Sequence, residues 1–224
     1  MIPILLVAAG TVLETAFIMQ SYRQRSGMSV LLKTLASCCF VLLGRYCAHL
    51  REGSAFADFV QLGLLFGLLG DVLLALRFLW QKTRTAFFLA GTAAFFTGHV
   101  FYILAILERS PRSWMLAIPI TLIALGAAAF YSRANQVRAG RITPFGVVYI
   151  GEVLFMTACA LCGAFQTSDR ALFLFFLGGL CFSLSDNMLV ALSFGKEDHP
   201  YRNAVLHILY YMAQILIALS ILFQ

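Results

Sequence analysis

Charge is what this chain has least of. Asp, Glu, Lys and Arg make up 12% of its 224 residues, about half the share usual in a soluble domain, too little to cover a water-facing surface. Proline is scarce at five residues, and no Pro/Ser-rich stretch or run of like charge interrupts the sequence. That argues against a linker-joined or tailed architecture and for one domain over 1–224. The opening stretch, MIPILLVAAG, has no basic residue and reads as a first membrane helix, not a cleaved leader. HExxH and HxxxH patterns are missing, and Cys159 with Cys162 forms a lone CxxC inside an apolar run. With no second pair, that spacing reads as small-residue packing and not as a metal or redox site.

What is there is apolar. Hydrophobic residues make up 61% of the chain, 21 of them Phe. A hydrocarbon core of about 30 Å needs roughly 20 helical residues, and eight segments supply them: 2–20, 30–50, 56–76, 86–107, 114–131, 144–165, 171–194 and 203–223. They are continuously apolar, without the alternation a closed barrel requires. The expected fold is therefore an all-α membrane protein with eight transmembrane helices in one bundle. The formal net charge of +6 points to anionic lipid headgroups and not to nucleic acid. Connections one, three, five and seven carry Arg23, Arg25, Arg77, Lys82, Arg84, Arg133, Arg138, Arg141, Lys196 and Arg202, whereas the even ones hold Arg51, Arg109, Arg112 and Arg170. By the positive-inside rule the odd connections are cytoplasmic and both termini lie outside.

Within this apolar background two carboxylates stand out. Asp71 ends the run GLLFGLLGD and Asp186 the run GGLCFSLSD. A charge inside lipid costs several kcal/mol unless it is paired, hydrated or protonated, so such a residue marks either function or helix-to-helix glue. Gly63, Gly67, Gly70 and Asp71 fall at i, i+4, i+7 and i+8, and Gly178, Phe182, Ser185 and Asp186 repeat the spacing. Each Asp therefore faces a neighbouring helix or a cavity. Shifting the first half by about 115 residues brings Asp71 onto Asp186 and the first four helices onto the last four. That is the pattern of a 4+4 parallel internal repeat.

Other polar residues follow the same helical spacing. His99 and Tyr102 share a face of the fourth helix, Tyr149 and Glu152 one of the sixth, and His207, Tyr210, Tyr211 and Gln214 one of the eighth. His49 and His199, near helix ends, read as interfacial. Counted at about 1.5 Å per residue, Glu14, Lys33, Asp71, Glu152, Asp186, His207, Tyr211 and Gln214 all fall in the cytoplasmic half of their helices, with His99 and Tyr102 nearer the middle. Independent glue would scatter between leaflets, so one polar cavity beneath the cytoplasmic headgroups is expected. In such a low-dielectric site one Asp can keep its proton as an acid while the other, paired with Lys33 or a His, stays ionised. A metal held by His99, His207 and the two Asp ranks lower, because it would have to be assembled wholly from separate helices.

The order and spacing of LLFGLLGDVLLAL, FFTGHVFYILAI, LGGLCFSLSDNMLVALSF and LYYMAQILIALS resemble the signature blocks of the YhhN-like lysoplasmalogenases. Lys33 with Leu35 resembles that family's early Lys-Pro-Leu motif, although Thr34 stands where the family often has Pro. The resemblance implies an eight-helix, cofactor-free ether hydrolase that cleaves the vinyl ether bond of lysoplasmalogen. The products would be a fatty aldehyde and glycerophosphoethanolamine or glycerophosphocholine. Vinyl ethers hydrolyse through protonation of the β-carbon and an oxocarbenium ion, so Asp71 and Asp186 are expected as acid and stabiliser, with His99 and Tyr102 completing the catalytic set. Lys33, Tyr149, Glu152, Ser185, His207, Tyr211 and Gln214 are expected to bind substrate. The partners are a lysophospholipid and membrane lipids, and the location a bacterial cytoplasmic membrane with the site toward the cytoplasmic leaflet. The alternatives are a proton-coupled small-molecule or lipid transporter and a metal-dependent membrane lipid hydrolase.

Overall fold

The computed structural model describes residues 1–24, 26–51, 53–196 and 200–224, and the side chains of all of these but Gln81 and Pro200. Arg25 and His199, counted above, lie outside them. Among the described residues eight helices are long and apolar enough to cross a membrane: α1 (Ile2–Arg23), α2 (Gly27–His49), α3 (Ala55–Leu76), α4 (Arg84–Arg109), α5 (Ser113–Ala134), α6 (Thr143–Thr167), α7 (Arg170–Phe194) and α8 (Pro200–Ser220). The protein is an integral multi-pass membrane protein, all-helical among the described residues.

Several helices outrun their apolar stretches because hydrogen bonding continues until a cap or a turn stops it. Pro144 sits in the first turn of α6, where no backbone donor is needed, and α6 ends at Ser168 with φ 53°. Asp169 then caps α7 by accepting the Ala171 N–H at 2.8 Å, and Ser54 caps α3 by accepting that of Ala57 at 3.3 Å. The even-loop end is further stitched by an Arg109 Nε to Asp169 Oδ2 pair at 2.6 Å and by Arg51 donating to the Leu222 carbonyl at 2.6 Å.

Helices α2, α3, α4, α6, α7 and α8 close a ring, each against the next; α1 leans on α2 and α8, and α5 on α6. Moving four helices along the chain reproduces the main pairs of this scheme, although the lean of α1 on α8 has no equally large counterpart between α5 and α4. The pairs α1/α2, α2/α3, α3/α4 and α4/α6 become α5/α6, α6/α7, α7/α8 and α8/α2, all of which pack. The register agrees at the level of residues. A Cβ on Gly63 would stand 2.1 Å from Tyr102, and one on Gly178 would stand 2.8 Å from Ile217. Gly63 to Gly178 and Tyr102 to Ile217 are each the same 115-residue step as Asp71 to Asp186. Glycine is required at both crossings, because α3 and α7 approach their partners too closely for any side chain. Four helices per half give the two halves the same direction, and these equivalent pairs and glycines are what a parallel repeat would produce.

Candidate functional site

Asp71 is buried near the odd-loop end of α3 and takes its partners from two other helices, α2 and α8. Lys33 Nζ of α2 lies 3.7 Å from its Oδ1, and the Tyr210 hydroxyl of α8 donates to its Oδ2 at 2.8 Å. Ser37 Oγ, one turn beyond Lys33, lies 2.5 Å from that oxygen and 2.9 Å from the Lys33 carbonyl, so its single proton serves both. Behind Tyr210 the bonds continue. Gln214 Nε2 donates to the Tyr210 hydroxyl at 3.0 Å and Tyr102 donates to Gln214 Oε1 at 3.0 Å, so each donor is turned toward the carboxylate.

Lys33 has a nearer acid as well. Its Nζ sits 2.9 Å from Glu14 Oε1 of α1 and 4.4 Å from the centre of the Tyr210 ring. One ammonium thus faces two buried carboxylates, and His207 Nδ1, 3.7 Å from Glu14 Oε1, is the other basic group beside them. A buried ion group of this kind holds only while every member is present.

Asp186, buried at the equivalent depth of α7, is dressed differently. Tyr149 of α6 donates a short hydrogen bond to its Oδ2. Among the described residues no Lys or Arg pairs with it. His99 Nδ1 and Glu152 Oε2 meet at 3.0 Å, and the His99 ring lies 5.7 Å from that of Tyr149. His99 Nε2 and Glu152 Oε1 are buried without a hydrogen-bond partner among the described residues.

Two cavities border these carboxylates, both at the odd-loop end. A polar one of about 100 Å³, lined by Lys33, Asp71, Ser185, Asp186, His207 and Tyr210, reaches Ser21, Ser26, Arg77 and Asn203 at the helix ends. A larger one of about 440 Å³ lies between α4, α5, α6 and α7, walled by residues such as Leu125, Ala128, Phe145, Val190 and Phe194, with Tyr149 and Asp186 on its inner side. Leu74, Phe95, Asp186 and Leu189 border both. The first holds a few waters or a small polar group; the second has the size and lining of a pocket for an apolar ligand.

The residues named from the sequence separate into groups. Lys33, Asp71, Ser185, Asp186 and His207 meet at the polar cavity, and Tyr149 at the apolar one. Ser185 spends its hydroxyl on the Leu206 carbonyl, 3.1 Å away. Tyr102, Gln214, His99 and Glu152 line neither cavity and act through Tyr210 or beside Tyr149. Tyr211 turns away from both Asp residues and donates to the Ala36 carbonyl at 3.3 Å. The sequence reading passed over Tyr210 and Ser37 as ligands of Asp71 and Glu14 as the nearer partner of Lys33. His207-Ile-Leu-Tyr210, matching His99-Val-Phe-Tyr102, was the signal for the tyrosine. Among the described residues no three His, Cys, Asp or Glu side chains are grouped to hold a metal ion, so His99, His207 and the Asp pair do not assemble as one ligand set.

Compared with known families, residues 28–221 match the YhhN family. The chain belongs to the YhhN family. Comparison with curated proteins and with solved structures gave no match. In this YhhN-family chain the matched stretch takes in Lys33, Asp71, Asp186 and Tyr210 but not α1, and hence not Glu14.

Proposed function

We propose that this YhhN-family protein is a lysoplasmalogenase, hydrolysing the vinyl ether of a lysoplasmalogen to a fatty aldehyde and glycerophosphoethanolamine or glycerophosphocholine. One observation carries the reading: two buried carboxylates line the same cavity in unlike surroundings, which is what an acid and an ionised partner need. Asp71, beside the Lys33 ammonium and under the Ser37 and Tyr210 hydroxyls, is the ionised one. Asp186, held by Tyr149 with no Lys or Arg partner among the described residues, carries the proton.

The steps balance. Asp186 delivers its proton to the β-carbon of the enol ether, and the C=C π electrons form the new C–H bond. The positive charge then spreads over the α-carbon and the ether oxygen, facing the Asp71 carboxylate. Water adds to the α-carbon and gives up a proton to a carboxylate. The hemiacetal then breaks its C–O bond, releasing the aldehyde and returning a proton to the glycerol oxygen. No metal or redox partner is called for. The reading also places the site toward the cytoplasmic leaflet of a bacterial membrane, since the cavities share the end of the bundle that carries most of the Lys and Arg.

The test is aldehyde release from a lysoplasmalogen by purified Asp186→Asn and Asp71→Asn proteins in detergent. Each is expected to lose activity by about 10²- to 10⁴-fold, the usual worth of a positioned acid or base; near-normal turnover in both would reject the mechanism. The parallel repeat itself favours a second reading, a small transporter using the same buried charges as a relay. Solute flux into proteoliposomes without aldehyde formation would select it.

A further inference from the structure

The two cavities are repeats of one another. Adding the 115-residue step to Phe88, Thr92 and Phe95 of the apolar cavity gives Asn203, His207 and Tyr210 of the polar one, and Asp71 and Leu74 give Asp186 and Leu189 in the same way. Each cavity is built from the first three helices of one half and closed by helices of the other. At three equivalent positions on the fourth helix of each half, Asn, His and Tyr face one cavity where Phe, Thr and Phe face its counterpart. The duplicated cavity has thus become one polar and one apolar, and Asp186 stands on the wall they share.

From this we propose that the apolar cavity is the seat of one hydrocarbon chain of a single-chain lipid, whose glycerol end occupies the polar cavity. The identity of the lipid rests on the hydrolase reading; the seat itself does not. The volume suits one chain and not two. At about 30 Å³ for a water-sized group, 440 Å³ is room for roughly fifteen such groups. Arg133, at the loop end, and Asp186 are the charged residues among the described lining, so most of the wall offers a guest nothing but apolar contact. Phe145 and Val147 on that wall remain exposed, which gives a chain a sideways route from the bilayer. A bound lysolipid changes from polar to apolar at its ether linkage, and the cavities change from polar to apolar at Asp186. The bond to be broken and the proton donor therefore coincide without further adjustment.

Gly146 makes the seat testable. It lines the apolar cavity, and a Cβ built on it meets nothing within 4 Å, so Gly146→Leu projects into the chain's space while improving the helix propensity of α6. The probe is a saturated octadecyl ether of lysophosphoethanolamine, which has no vinyl ether to cleave, added to the detergent-purified full chain and followed by native mass spectrometry. Displacing about four methylenes at roughly fourfold each should weaken its binding by on the order of a hundredfold. The octadecyl analogue should bind to Gly126→Leu as it does to the wild type. Gly126 lines neither cavity and is equally unobstructed.

Unchanged octadecyl binding by Gly146→Leu would overturn the proposal, as would equal competition by a diacyl phosphatidylethanolamine. Should the variant fail to fold, the wild-type chain with a photoreactive diazirine at the methyl end of the probe decides. Label within 125–133 and 142–150 supports the seat, and label confined to the outward faces of α1 and α2 refutes it. Lysoplasmalogen turnover on the same preparations keeps the two ideas apart. Chain binding that depends on Gly146 without turnover ends the hydrolase reading and leaves the seat, whereas turnover with Gly146-independent binding does the reverse.

Discussion

The polar and apolar cavities occupy equivalent places in the two halves, yet one gathers a lysine, a histidine and a tyrosine around its aspartate while the other offers a single tyrosine hydroxyl. The backbone holds each Asp at the same depth; the surroundings decide what it can do. Phe95 and Tyr210 show the difference most economically. They sit 115 residues apart on the fourth and eighth helices, with their rings 5.8 Å from one another, and only the second can reach a carboxylate with a donor. A symmetric backbone has been made into an asymmetric site by a handful of side chains.

The comparison can be broken most severely at Asp186. Its replacement by Asn removes the proton, and on the proposed chemistry loses about 10²- to 10⁴-fold in turnover; a pH-rate profile of the residual activity should lack the limb the wild type shows. Next comes Lys33→Met, which strips the one ammonium from between Glu14 and Asp71. Leaving buried carboxylates uncompensated costs about 3 to 5 kcal/mol, read as a lowered denaturation midpoint in detergent, and Lys33→Met with Glu14→Gln should recover part of the loss. A single variant as stable as wild type would show that the two acids do not depend on the cation.

Smaller effects sharpen the contrast. Tyr210→Phe makes the polar half copy the apolar one at that position. It removes one donor from Asp71 and strands Gln214, and about 1 to 3 kcal/mol of stability should go with the unsatisfied groups. Chemical denaturation of that variant against Phe95→Tyr separates the loss of a donor from the mere presence of a hydroxyl, since only the first should destabilise Asp71. The smallest change is expected far from both cavities. Arg109→Gln, at the even-loop end, breaks a partly exposed ion pair and should cost about 1 kcal/mol or less, with turnover unaffected.

Much of this was legible in the sequence, for physical reasons that differ by residue. The spans were readable because lipid demands long uninterrupted apolar runs, and Asp71 and Asp186 because a charge in such a run is conspicuous. The repeat showed through the glycines that precede each Asp, since close helix crossings leave no alternative residue. Tyr210 and Tyr211 could not be told apart by spacing, because neighbours on a helix point about 100° apart and both keep company with His207. Ser37 was hidden because a hydroxyl inside a helix ordinarily bonds its own backbone, as Ser37 also does with Lys33. A polar cavity at the odd-loop end was readable from the common depth of the polar residues, but the apolar one beside it was not: each is walled by helices from both halves, and no stretch of chain carries the shape of one.

That shared walling has a consequence for ancestry. Tyr210 of the last helix serves the aspartate of the first half, and Phe95 of the fourth helix borders the aspartate of the second, so neither set of four helices owns a finished pocket. A four-helix forerunner could have worked only as a pair, each subunit lending its last helix to the other. Joining two such copies through the short connection after α4 would have freed them to drift apart, so that one molecule keeps a wet room and a dry one side by side.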